Sequence, residues 1–234
     1  MKSGTRRAFR LLALLIGFLP HLLRAADAPD WQAIASRMPL SRPVEAITRS
    51  NCLEILLNSF RSNDVVKALI FMPGATDEWF MPHDPRAPIA SANPSLLDAI
   101  NALTNNSRIH ATFRPPFLLL HTDMDQLEPL IKIEDQVTAD KIKNARYVPH
   151  VLFYDRDWDF VAPSLSKSLK TTMRPWRYTN DSWHFYRHSF SEWNLSGWEA
   201  LEAFALAART TCTIQHKKVV FEVDHRLPVP RKSE

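Results

Sequence analysis

The stretch from Asp181 to Asp224 constrains the fold more than any other part of the chain. Ser196 followed by Glu199 is a capping box: the serine hydroxyl accepts from an early helical amide, and the glutamate reaches back to the serine amide. Trp198, Leu201, Phe204 or Ala205, and Ala208 then recur at helical spacing. Beyond Thr210 the period drops to two, with Val219, Phe221 and Val223 on one face and Glu222 on the other. Upstream, Trp183, His184, Phe185 and Tyr186 form an aromatic run suited to a pleated surface. A helix with an apolar stripe beside strands with one apolar face specifies an α+β layer structure.

A fainter copy of this order lies about a hundred residues upstream. Ala68–Met72 reads as a strand, Pro73-Gly74 as a turn and Trp79–Met81 as a returning strand. Asn93-Pro94 is a helix entry, and Leu96, Leu97, Ile100 and Leu103 are the face that follows. Arg108–Phe113, the Pro115-Pro116 break and Phe117–His121 complete the unit. Sliding the halves by 104 places sets Asp77 on Asp181 and Trp79 on Trp183. The expectation is two tandem two-layer α/β sandwich modules, each running strand, helix, strand, strand, helix, strand. They would span 44–125 and 147–225. Residues 27–43 would be a lead-in, 126–146 a connector with a short helix near Ala139–Ala145, and 226–234 a tail.

The run NLSGWEALEAFALAARTTCTIQHKKVVFEVD, Asn194 to Asp224, resembles the short N-terminal module of secretins and TonB-dependent receptors. Ser95–Asp123 is similar in pattern. The resemblance implies a small periplasmic interaction domain and carries no catalytic residue onto this chain. The expectation departs from those families in that no pore-forming domain or outer-membrane barrel is expected after this module.

Residues 1–26 read as a secretory signal peptide. Lys2, Arg6, Arg7 and Arg10 precede an apolar run, Leu11–Leu23, that ends in Arg24, Ala25 and Ala26. The run is too short for about 30 Å of hydrocarbon and is interrupted by Pro20 and His21, so no membrane span is expected after processing. The formal charge of +4 belongs to this leader. Five basic residues and no acidic one lie in it, so its removal leaves a formal −1. A nucleic-acid footprint loses its support. Localisation is therefore expected to be periplasmic or secreted.

Of four glycines, only Gly74 and Gly197 lie beyond the leader. Phosphate-cradling loops and dinucleotide turns need clustered glycines, and the nucleophile elbow needs its own pair. No cofactor is expected. Cys52 and Cys212 would meet an oxidising compartment; they are either bonded across the fold or, as the blander reading has it, two buried free thiols.

Four groups are chemically suggestive. Asp155, Asp157 and Asp159 alternate, but a calcium loop starting there would need glycine and glutamate where Phe160 and Ser166 stand. They read as a charged strand end and a helix cap. His121, Asp123 and Asp125 follow a strand and hold either a metal or ordinary strand-end polarity. His184 and His188 share a strand face with Tyr186 and would bind zinc if a third ligand arrived; otherwise they are half-exposed histidines.

Trp176, Trp183, Trp193 and Trp198 offer a stacking surface for sugars or a partner protein, or simply fill core. Trp193, Trp176 and Tyr186 are the candidate interaction residues. The reading is an exported non-catalytic binding or scaffolding protein of the bacterial envelope, its partner an envelope or secreted protein met at a sheet edge or the aromatic loop. Its competitors are a metal-dependent hydrolase using His184 and His188 with nearby carboxylates, and a carbohydrate binder. Mass spectrometry of the exported protein should find an N-terminus within about two residues of Asp27; a retained leader would refute the signal-peptide reading.

Overall fold

Strands whose every residue is buried must be covered on both faces, and two short strands of this chain are of that kind. Ala68–Phe71 and Phe117–His121 are buried along their whole lengths. They lie side by side and parallel, and their side chains sort by parity. Leu69, Phe71, Leu118 and Leu120 enter one apolar cluster. Ala68, Ile70, Phe117 and Leu119 enter the other. The sheet is a wall between two cores, which is what a period of two does when both sides are dry.

A computed structural model describes residues 30–81, 83–146, 153–156, 158–175, 188–192 and 194–223, with backbone alone at 153–156, 158–160, 175, 188–192 and 223. In chain order the elements are α1 (Trp31–Ala35), β1 (Ala46–Thr48), α2 (Cys52–Ser59), β2 (Ala68–Phe71), α3 (Pro73–Phe80), β3 (Arg86–Pro88), α4 (Leu96–Asn105), β4 (His110–Arg114) and β5 (Phe117–His121). Then follow β6 (Ile131–Ile133), α5 (Gln136–Lys143), β7 (Phe153–Arg156), α6 (Trp158–Leu169), β8 (Thr172–Pro175), β9 (His188–Glu192), α7 (Gly197–Ala207), β10 (Thr210–Gln215) and β11 (Lys218–Val223).

Among the described residues three sheets form: β4-β5-β2-β9-β7, β6-β10-β11-β8 and the pair β1-β3. Helices α2, α3 and α4 pack on one face of the five-stranded sheet. Helices α5, α6 and α7 lie on the other, with the four-stranded sheet closing over them. The molecule is thus an α+β structure of four alternating layers. No described helix is long and apolar enough to cross a membrane.

The sheets do not divide where two modules would. The five-stranded sheet takes β2, β4 and β5 from the first half and β7 and β9 from the second, with β2 antiparallel to β9. Residues of the expected connector supply β6 and α5, and β6 is built into the four-stranded sheet beside β10. The described residues from Trp31 onward belong to one compact unit.

The expected turn at Pro73-Gly74 is instead the start of α3. Proline suits the first helical position because its missing amide proton is not needed there. Trp79 therefore ends a helix, buried in the first core, rather than opening a strand. Trp183, its expected counterpart, lies outside the described residues.

Helix α7 explains why the halves are joined. Its expected single stripe is in fact a nearly complete apolar surface. Ala200, Leu201, Ala203, Phe204, Ala205, Leu206 and Ala207 are all buried. A helix apolar all round has to be enclosed, and the two sheets enclose this one. Its small residues let both sheets come close. At its first turn a Cβ on Gly197 would collide with the Ile142 carbonyl.

The capping box is present as expected. The Glu199 amide donates to Ser196 Oγ at 3.2 Å and the Ser196 amide to Glu199 Oε2 at 2.7 Å. Lys67, just before β2, donates to Glu199 Oε1 at 2.7 Å. A second box, Ser95 with Asp98, opens α4, two residues past the expected Asn93. Asn51 precedes α2 but turns its side chain back to Thr48 and Ala46, so it closes the β1 turn rather than capping the helix.

Cys52 and Cys212 are both buried and unbonded. They belong to opposite cores, so the five-stranded wall stands between them. Burial pushes both thiols far up from their ordinary range. Phe204 is wholly buried and meets Phe221 edge-on, with ring centroids 5.0 Å apart. Phe204→Ala should therefore cost about 3–5 kcal/mol in a urea titration; a loss near zero would mean that α7 is not enclosed.

Candidate functional site

Parallel strands leave a crevice at their carboxyl ends, where chain turns away on both sides. Here β2 runs into α3 through Met72, and β5 into the loop Thr122–Asp125. The Asp125 side chain is 1% exposed and closes this gap. Its Oδ1 accepts from the Gly74 amide at 2.8 Å, so the carboxylate sits on the α3 N-terminus. Its Oδ2 accepts from the Thr122 amide at 2.9 Å and the Thr122 hydroxyl at 3.3 Å. A Cβ on Gly74 would collide with both Asp125 Oδ2 and Thr122 Oγ1. Only glycine lets the carboxylate reach the helix.

Arg209 completes the arrangement from the end of α7. Its side chain is 5% exposed, and Nη2 lies 3.6 Å from Asp125 Oδ1 and 3.7 Å from Asp77 Oδ2. Its φ is +52°, in the left-handed region that usually follows a helix and usually takes glycine. A non-glycine residue there costs on the order of 1 kcal/mol and persists where its surroundings hold it. The buried Asp125 carboxylate is the partner that anchors the side chain there.

Burial lifts the Asp77 carboxyl above the usual carboxylate range; Arg209 pulls it down and Asp125 adds to the lift. Beside this group lies a cleft of about 370 Å³ lined by Gly74, Asp77, Arg108, Asp123, Met124 and Arg209. Its chemistry is that of a clamp. The nearest hydroxyl, Thr122, already donates to Asp125, and that carboxylate already accepts two amides.

The other candidates separate. His121 is buried; its Nδ1 donates to the Thr122 carbonyl at 3.1 Å, because a carbonyl only accepts. Its Nε2 therefore accepts from the Thr112 hydroxyl, 2.8 Å away. The lone pair a metal would need is in use. Asp123 points to solvent and lies 3.4 Å from His110, not against His121. His121 and Asp123 do not form a ligand pair.

No group of three or more metal-binding side chains occurs among the described residues. Of His188 only the backbone is described, in β9; Asp155 and Asp159 are in the same position. His184, Tyr186, Trp176, Trp193 and Asp157 lie outside the described residues. Trp198 is half-buried, donates from Nε1 to Glu202 at 3.1 Å and carries Lys143 over its ring at 5.1 Å. It is held within the fold.

Among the described strands β4, β6, β7 and β8 end their sheets, and β6 is the edge beside which exposed apolar side chains occur. It ends the four-stranded sheet, parallel to β10. The Leu130 carbonyl accepts from the Cys212 amide at 3.0 Å, and the Glu134 amide donates to the Ile214 carbonyl at 2.9 Å. On a pleated strand the backbone groups of residues 130, 132 and 134 therefore face β10, and those of Ile131 and Ile133 face outward. No described strand pairs with that outer side. Of the five exposed large apolar side chains described, Leu130 and Ile133 belong to this strand and its approach, and Val137 follows in the first turn of α5.

Arg209 has no motif to announce it. It stands 84 places from Asp125, and its one signal is a single cation in an otherwise apolar run. Asp125→Ala should destabilise the protein by about 3–5 kcal/mol, since it strands a buried guanidinium and three donors. Asp77→Asn should act in the opposite sense. The fold disfavours ionised Asp77, so this penalty is present at neutral pH and fades as pH falls through its raised pKa. The variant should melt higher than its parent at pH 7 and equally at acid pH; a variant melting lower at pH 7 would contradict the assignment. Compared with family models, curated proteins and solved structures, the chain matches none.

Proposed function

We propose that this is an exported, non-catalytic binding or scaffolding protein of the periplasm or cell exterior, which takes up a protein partner along the outer edge of β6. The observation that carries this is the unpaired outer side of β6 with Leu130, Ile133 and Val137 exposed around it. A sheet edge offers a row of donors and acceptors at fixed spacing, and an extended segment of a second protein satisfies them by adding a strand. Apolar surface beside the edge supplies the desolvation that backbone pairing alone does not. Export rests on the pattern of residues 1–26. The resemblance of Asn194–Asp224 to the interaction module of secretins and TonB-dependent receptors supports the same class of role.

A photo-reactive amino acid placed at Val137 in living cells tests the reading. Val137 is 78% exposed, so the substitution leaves the core alone. A discrete adduct should form from Val137 and not from Arg49, which is exposed after β1 on the far core. No adduct from Val137, or the same adducts from both positions, would refute a partner site at this edge.

A further inference from the structure

We infer that the partner at β6 is a second copy of this chain, joined antiparallel about a two-fold axis through Ile133; this rests on the reading of β6 as a binding edge. The argument is charge complementarity within the strand itself. The outward backbone groups belong to Ile131 and Ile133, so an added antiparallel strand must set odd residues against odd ones.

Three registers centred within β6 keep that parity. Centring on Ile131 sets Ile133 against Pro129, and centring on Ile133 sets Ile131 against Asp135, whose amide already donates to the Ile214 carbonyl. Centring on Ile131 places Lys132 against Leu130 of the second copy. Centring on Lys132 opposes two lysines directly, which is destabilising in a cross-strand pair. Centring on Ile133 sets Lys132 against Glu134 of the second copy, and Glu134 against its Lys132.

In that last register Ile133 exchanges two backbone hydrogen bonds with its copy. The same register places Leu130 of each chain opposite the start of the other's α5, where Val137 is exposed. Within one chain Lys132 Nζ already meets Glu134 Oε1 at 2.6 Å on the exposed face of the strand. The dimer turns two such pairs into an alternating quartet. Two four-stranded sheets then become one of eight, with β6 no longer an edge. Closed two-fold pairing also ends the risk of open-ended growth that a bare edge carries.

Sedimentation equilibrium of the purified protein over micromolar concentrations should show a monomer–dimer equilibrium. Lys132→Glu and Glu134→Lys should each weaken it by about tenfold or more, from lost and reversed cross-strand pairs. An equimolar mixture of these two variants should dimerise again, because each supplies the charge that the other lacks. The double variant K132E/E134K should also regain self-association. Melting temperatures should stay close to the parent's, since an exposed ion pair contributes little to folding.

A dimer indifferent to both single substitutions would overturn the inference. So would a monomer at all concentrations whose Val137 adduct contains a different protein, although that result leaves the proposed function standing. A monomer with no adduct at all would remove both.

Discussion

Helix α7 cannot be left with any side in water, and the architecture follows from that. Its alanines and leucines, with Phe204, face β2 and β9 on one side and β10 on the other. A single sheet covers only one stripe of a helix, so a two-layer module built around α7 would leave apolar surface exposed. Enclosure takes a second sheet, and β10 and β11 find flanking strands only in β6 and β8. The same logic applies one layer out: β2 and β5 are apolar on both faces, so they need α2, α3 and α4 behind them. Four layers are the least that satisfy both demands.

Polar groups tie these layers together where apolar packing does not specify register. Lys67 and Glu199 join the start of β2 to the start of α7. Asp125 and Arg209 do the same at the other end, with Gly74 giving the carboxylate room. Buried ion pairs often add little net stability, but they leave a large penalty for any arrangement that separates the partners. Here they fix which end of α7 lies over which end of the parallel strands. A left-handed arginine is tolerated as part of that fastening.

Most local signals in the sequence match the structure, and the long-range ones do not. The Ser196 and Glu199 box, the break at Pro115-Pro116 and the parity of Val219 and Phe221 are set by neighbours within a few residues. Each appears as its residues dictate. Pro73-Gly74 misled because the pair suits a turn as well as a helix start. What decided between them was the Asp125 carboxylate, fifty-one residues away. Likewise α7 carries a visible stripe, yet nothing nearby states that the remaining faces are also covered.

The apparent duplication is not confirmed by the pairing, for the same reason: similar element orders do not say which strands pair, and β2 pairs with β9. The β6 edge was hidden in a charged stretch whose three-residue strand is too short to show alternation. The histidines and tryptophans singled out in the sequence are either satisfied locally, as His121 and Trp198 are, or are described in backbone alone, as His188 is, or lie outside the described residues.

The pairing of β2 with β9 has a bearing on synthesis. Residues 68–71 leave the ribosome some 120 residues before residues 188–192, and the hairpin that closes the second sheet comes last of all. A chain emerging amino end first can pair β2 with β5 early, but the other edge of β2 stays open until β9 has been made. Contacts so distant along the chain make for slow assembly. A nascent copy therefore keeps one edge of β2 open for longer than a string of self-sufficient modules would.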